Sequence, residues 1–212
     1  MGIKKGTFLI SLGILMLLSA LGLTGYNVYE GHRAEEQSRA TVTFLDETIP
    51  QVVPEESVTA EELSADEADI PDYVLNPDME MPVLQHEGRD YIGKLSIPAL
   101  GLELPVISQW SYPALKIAPC RYAGTAYTDG FVIAAHNYRA HFASLSSLNT
   151  GDLVTFTDVD GNLFQYEVAA KETLAPTAIE EMTADAWPLT LFTCTVGGAS
   201  RVTVRCDRVP EL

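Results

Sequence analysis

Residues 6–29 carry no charged side chain, and Lys4 and Lys5 stand directly before them. The apolar heart of this run is Phe8, Leu9 and Ile10, then residues 12–18, then residues 21–23. A bilayer core takes about 20 apolar helical residues, and the run is long enough. A secretory signal has an apolar region of only about 7–15 residues, so the length argues for an uncleaved anchor. The lysines then stay in the cytoplasm, and everything after Tyr29 lies outside the cell. Residues 1–29 are therefore expected to be a cytoplasmic tip and a single transmembrane signal anchor.

The formal net charge of the 212-residue chain is -16, from 29 acidic and 13 basic residues. That balance excludes a nucleic-acid binder, which needs clustered Lys and Arg against phosphates. The acidity is local: residues 41–82 hold twelve acidic side chains, no Lys or Arg, and five prolines. Such a composition buries too little apolar surface to offset its ordering entropy. Residues 30–89 are predicted to be an acidic, proline-containing flexible linker, spanning roughly 40–45 Å as a coil. Residues 73–82 are more apolar than their surroundings and are a candidate for docking on the folded part. Three cysteines exclude a disulfide scaffold, and no Cys-x-x-Cys pair or Gly-rich phosphate loop is present.

Residues 90–212 read as one β-rich domain. Short apolar or alternating runs at 92–97, 102–107, 131–135, 153–157, 163–168, 189–193 and 201–205 are separated by Gly, Pro and Asp-Gly punctuation. Phe142, Leu145 and Leu148 suit a short helical turn. Strands at this spacing imply a closed barrel or a sandwich.

Three chemically capable residues fall at predicted strand ends. Cys194 closes one run, Arg201 opens the next after a six-residue loop, and His136 follows the apolar run 131–135. A hairpin brings Cys194 and Arg201 together, and alternation puts Arg201, Thr203 and Arg205 on one face. A thiolate that attacks a carbonyl, an imidazole that moves protons and a cation that steadies an oxyanion are the parts of acyl transfer. The alternative for Cys194 is a small buried hydrophobe.

These residues carry a resemblance. Thr190, Leu191, Phe192, Thr193 and Cys194, with Arg201 seven residues on, resemble the signature of sortases, the membrane-anchored cysteine transpeptidases of Gram-positive bacteria. Residues 93–98, 133–137 and 148–152 resemble the family's opening strand, its histidine strand and the turn that follows. Ala135 departs from the Gly that many members place before the histidine. The resemblance covers about residues 91–209 and implies a closed eight-stranded β-barrel with short helices. It implies Cys194, His136 and Arg201 as catalytic residues, and no metal or organic cofactor. The implied donors are surface proteins or pilins bearing a Leu-Pro-x-Thr-Gly-like sorting motif. The implied acceptor is an amine on a peptidoglycan precursor or a pilin subunit. A tethered peptidase that only hydrolyses, and a non-catalytic surface module on the same barrel, remain as alternatives.

Other positions carry weaker expectations. His141 is read as a solvated loop histidine. Glu180 and Glu181 lie where some sortases bind calcium, although calcium wants six to eight oxygens. Asn76, Pro77 and Asp78 faintly resemble the lid of pilin-polymerising sortases. Cys120 and Cys206 are either a disulfide or two separate buried thiols.

Overall fold

The strand hairpins begin where the chain is punctuated. Pro98 opens a single 3-10 turn, and Gly101 closes it in the left-handed region at φ 62°. That turn joins β2 (Arg89–Ile97) to β3 (Leu102–Ile107) in antiparallel register. Gly161, at φ 89°, does the same for β6 (Leu153–Asp158) and β7 (Leu163–Leu174), where Thr157 pairs with Leu163. The computed structural model describes residues 2–50, 70–184 and 186–210, and the side chains of residues 2–5 fall outside that description.

The remaining strands are β1 (Leu84–His86), β4 (Cys120–Ala123), β5 (Phe131–Ala134), β8 (Leu189–Cys194) and β9 (Arg201–Arg208). They join in the order β1-β2-β3-β4-β5-β8-β9-β7-β6, and β6 returns to pair with β2. That last pairing closes eight strands into a barrel, with β1 as an outer flap on β2. Closure removes the unpaired edges that an open sheet would expose. Small helices α2 (Asp72–Leu75), α3 (Tyr112–Leu115) and α4 (Ile179–Met182) decorate the loops.

Alternation divides the apolar residues into two layers. Phe131, Ile133, Leu189, Leu191, Val204 and Cys206 fill the barrel with Phe156 and Tyr166. Val132, Ala134, Cys120 and Phe192 face outward and cluster with Tyr91, Ile107 and Leu115. Phe142, Leu145 and Leu148 are fully buried at one 3-10 turn and plug the interior.

The N-terminal helix differs from expectation. Helix α1 (Gly2–Thr48) does not end at Tyr29 but continues for another 19 residues. Its apolar part is fully exposed, with Leu9 and Leu21 65% and 67% accessible, and is long and apolar enough to cross a membrane. Its second part docks on the barrel. Ala34, Ser38, Thr41, Val42, Leu45 and Ile49 are buried at helical spacing, and Leu45 and Ile49 join the outer apolar layer. Lys94 pairs with Asp46, and the Phe44 ring stacks on His86 at 4.0 Å. The flexible linker expected over 30–89 is thus helical and docked as far as Thr48. Pro50 stops it by restraining the residue before it. Residues 51–69, the heart of the acidic stretch, lie outside the described residues. Downstream, residues 73–82 dock: Tyr73 stacks on Tyr127 at 4.8 Å, and Met81 is buried in the interior layer.

Gly93 sits where β2 pairs with both β3 and β6. Its φ is +152°, and a Cβ there would lie 2.1 Å from the Thr157 carbonyl oxygen and 2.8 Å from the Asp158 Cα. The neighbouring atoms are backbone in the closing seam, so they have little room to yield. Gly93→Ala is expected to cost about 2–4 kcal/mol. Thermal unfolding followed by circular dichroism should show a fall in Tm on the order of 10 °C; a change within 2 °C (roughly the width of ordinary surface substitutions) would contradict the seam's role.

Candidate active site

Strand register assembles the site. β5 and β8 run parallel, with Ala134 opposite Phe192. The pairing continues past the strand, where the Ala135 amide donates to the Phe192 carbonyl at 3.1 Å and Thr193 Oγ1 donates to the Ala135 carbonyl at 2.8 Å. By extension of the same offset, His136, two residues past the end of β5, falls level with Cys194. β8 and β9 run antiparallel, with Cys194 directly opposite Arg201. Neighbouring strands lie about 4.8 Å apart. His136, Cys194 and Arg201 therefore form one row across three adjacent strands. By alternation with Ala134 and Phe192, that row belongs to the outer wall of the barrel.

Cys194 is half-buried, whereas Cys120 and Cys206 are fully buried. Burial pushes both of those thiols up to about 12. Cys120 belongs to the outer apolar layer and Cys206 to the inner one, and both are free. They are separate buried thiols, and no disulfide joins them.

Arg201 is held by its own loop. Its Nη1 donates to the carbonyls of Gly198 at 3.2 Å and Ser200 at 3.1 Å. The loop closes through Thr195 N to the Ser200 carbonyl at 3.0 Å and Gly198 N to the Thr195 carbonyl at 2.8 Å. Gly197 and Gly198 take φ of 83° and 75°, a conformation that glycine adopts without penalty. Among the described residues no hydrogen bond joins the three side chains of the row.

His136 is half-buried, and its ring lies 4.8 Å from that of Tyr138. Burial first, and then the charge of Lys116, lower its pKa below the usual histidine value. A neutral imidazole is therefore favoured near pH 7, and a neutral imidazole can accept a proton.

His141 is not the solvated loop residue expected. It is fully buried, and its Nε2 lies 3.3 Å from Ser38 Oγ of α1. Burial and the neighbouring His136 push it down to about 4. The cover comes from α1, 103 positions away in sequence.

Arg205 is a buried arginine two rows below Arg201. It donates to Glu172 Oε1 at 2.6 Å, Thr190 Oγ1 at 2.9 Å and the carbonyls of Glu181 at 2.6 Å and Met182 at 3.3 Å. These bonds fasten α4 against β8 and β9. Sequence alternation placed Arg205 on the face of Arg201 but did not separate the fastener from the arginine opposite Cys194. Glu181 contributes a carbonyl here, and among the described residues no group of three or more His, Cys, Asp or Glu could hold a metal ion.

An aromatic wall leads away from the row. Phe192 meets Tyr122 edge-on at 5.2 Å, Tyr122 meets Trp110 at 5.7 Å, and Trp110 meets Tyr112 at 5.1 Å. Trp110 and Tyr112 are exposed beside a groove of about 360 Å³. The β4–β5–β8 pairing connects Tyr122 to Phe192. The Asn76, Pro77, Asp78 segment lies elsewhere. It is tethered by Tyr73 on Tyr127 and Phe164, near Arg208 at the end of β9 opposite Arg201. Among the described residues no hydrogen bond, ion pair or ring contact joins it to Cys194.

A half-exposed thiol in line with an imidazole and a guanidinium, on the outer wall of a closed eight-stranded barrel, places the protein among cysteine-centred β-barrel proteins with a candidate membrane helix. Comparison with known proteins narrows the class. The Sortase domain family model matches residues 95–209. The chain belongs to the sortase family, whose members are cysteine transpeptidases. It is 26% identical over 197 residues to Sortase A of Bacillus anthracis, covering 85% of each chain. The fold is similar to sortase C1 of Streptococcus agalactiae, with TM-score 0.53, 24% identity and coverage of 61% of this chain and 72% of the other. It is also similar to sortase C of Clostridium perfringens solved with the C-terminal cell wall sorting motif. There the TM-score is 0.50, the identity 23% and the coverage 66% and 83%.

The contrast among the thiols is directly measurable. One equivalent of iodoacetamide at pH 8 should modify Cys194 before Cys120 and Cys206, because a buried thiol with a raised pKa offers little thiolate. Peptide mass spectrometry checks this; comparable labelling of all three would contradict the assignment of Cys194 as the accessible thiol.

Proposed function

We propose that Cys194, His136 and Arg201 carry a transpeptidation that moves surface proteins from a C-terminal sorting motif to an amine. The observation that carries this reading is the row in which β5, β8 and β9 align the three residues. Cys194 sulfur attacks the carbonyl before the scissile bond, and a thioester forms as the peptide C–N bond breaks. His136 accepts the Cys194 thiol proton as the sulfur attacks and gives it to the departing amine. The incoming amine nitrogen then attacks the thioester, its proton passes to His136, and the Cys194 thiolate leaves. Arg201 donates to the oxyanion or to the motif's backbone.

The donor is a surface protein or pilin with a Leu-Pro-x-Thr-Gly-like motif. The Clostridium perfringens sortase C solved with a sorting motif supports that class of ligand. The wall of Phe192, Tyr122 and Trp110 offers apolar faces for the motif's side chains. The acceptor is an amine on a peptidoglycan precursor or another pilin. The charge-free run behind Lys4 and Lys5 supports a single span with the N-terminus in the cytoplasm and the barrel outside.

The test is peptide ligation with purified protein, a sorting-motif peptide and an amine acceptor. Cys194→Ala is expected to abolish the ligated product with the fold intact. Arg201→Lys keeps the charge but loses the planar fork of donors. It is expected to lower kcat/KM about 10²–10³-fold, or ~2.7–4 kcal/mol. Activity within threefold of the parent, below about 0.7 kcal/mol, would leave Arg201 as a mere loop fastener. Hydrolysed peptide with no ligated product would identify a peptidase instead.

A further inference from the structure

Helix α1 touches the loop that carries His136, and it does so through polar atoms. Ser38 is buried, and its Oγ donates to the Ile117 carbonyl at 3.1 Å. A hydroxyl has one proton to give. With that proton committed to Ile117, the 3.3 Å contact to His141 is completed when His141 Nε2–H donates to Ser38 Oγ. Nδ1 is then an acceptor, and among the described residues it is buried without a partner. A second proton on the ring would have no acceptor either, which agrees with the lowered pKa of His141.

From His141 the contacts run back to the active row. The His141 amide donates to the Tyr138 carbonyl at 2.9 Å, and the Phe142 amide donates to the His136 carbonyl at 3.2 Å. The Tyr138 ring stands between the two histidines, 4.8 Å from His136 and 5.6 Å from His141. Lys116, whose charge acts on His136, also pairs with Glu30 of α1 at 3.9 Å. The groove of about 530 Å³ between α1 and residues 137–140 is lined by Thr24, Asn27 and Gly31, at the end of the apolar run.

We propose that Ser38 and His141 are positioning residues for His136, so that the membrane-proximal helix is a working part of the active site. The proposal rests on the assignment of His136 as the proton carrier. Ser38 fixes the His141 ring, and His141 and Tyr138 fix the loop from 136 to 142. The loop sets where the His136 imidazole stands relative to Cys194. Misplacement of a reacting group by about 1 Å can cost on the order of 10²-fold in rate. A barrel cut free after Thr48 would keep all three residues of the row and lose their alignment.

The experiment uses the full chain in detergent micelles, with Ser38→Ala compared with Asp46→Asn. The second variant removes the Lys94 partner on the same helix, eight residues further along it. Two readouts are taken: kcat and KM for ligation, and the titration of the His136 ring by NMR with labelled histidine. The groups facing that ring are Tyr138 and His141 of its own loop, Lys116 after α3, and Cys194 of β8 by register. Glu30 pairs with Lys116 and also acts on Tyr138. Ser38→Ala is expected to lower kcat at least tenfold with KM within twofold. It should also move the His136 midpoint up, because a loosened loop hydrates the ring. Asp46→Asn is expected to leave both readouts within twofold of the parent or unmoved. Unchanged kcat and an unchanged His136 midpoint in Ser38→Ala would overturn the proposal. So would equal effects from Asp46→Asn, which would reduce the contact to general helix docking. If the parent makes no Cys194-dependent product, the catalytic assignment fails, and the His136 titration still reads whether Ser38 governs that ring.

Discussion

The parallel pairing of β5 with β8 is the constraint on which the site depends. Its register carries His136 level with Cys194, and parallel neighbours cannot be joined by a tight turn. The chain therefore leaves β5 at Ala134, forms the 3-10 plug, the β6–β7 hairpin and α4, and returns at Leu189. Every element in that excursion secures the return. The hairpin closes the barrel on β2, and α4 is fastened by Arg205 beside the start of β8. The interior residues Ile133 and Leu191 and the outer residues Ala134 and Phe192 then grip the strand pair from both faces.

Much of this was legible in the sequence because the barrel follows a period of two. The apolar runs at 131–135 and 189–193 and the Asp-Gly turn at 160–161 correspond to β5, β8 and the β6–β7 hairpin. Cys194 and Arg201 could be paired from the length of one loop. What stayed hidden was non-local. His141 sits in a short polar stretch with no periodicity of its own, and its burial is supplied by a helix from the other end of the chain. Arg205 and Arg201 share a face, and only the position of Glu172 and α4 separates their environments.

The extent of α1 was legible in principle. Ala34, Ser38, Val42, Leu45 and Ile49 repeat every three to four residues, with no proline before Pro50. Averaging residues 30–89 as one acidic stretch masked that pattern, because the acidic residues and prolines are concentrated after Leu45. Composition describes a window, whereas amphipathic periodicity describes a face. Here the face wins, since most of the dozen acidic residues lie beyond the helix, and Asp46, which lies on it, is paired with Lys94 of the barrel.

A docked helix and a coil make different machines. A coil over residues 30–89 would leave the barrel free to drift within roughly 40–45 Å of its anchor. A helix rises 1.5 Å per residue, so Tyr29 and Ser38 are separated by only about 14 Å along the axis. The same outer apolar layer that contains Phe192 beside Cys194 also contains Leu45 and Ile49 of α1. The wall behind the reactive row and the seat of the helix are thus one packed unit, and interiors of that density transmit displacement rather than absorb it. A candidate membrane span that is continuous with the seat therefore fixes the orientation of the row as well as its distance from the apolar run. On the proposal that Ser38 positions the histidine loop, one helix would serve both tethering and alignment.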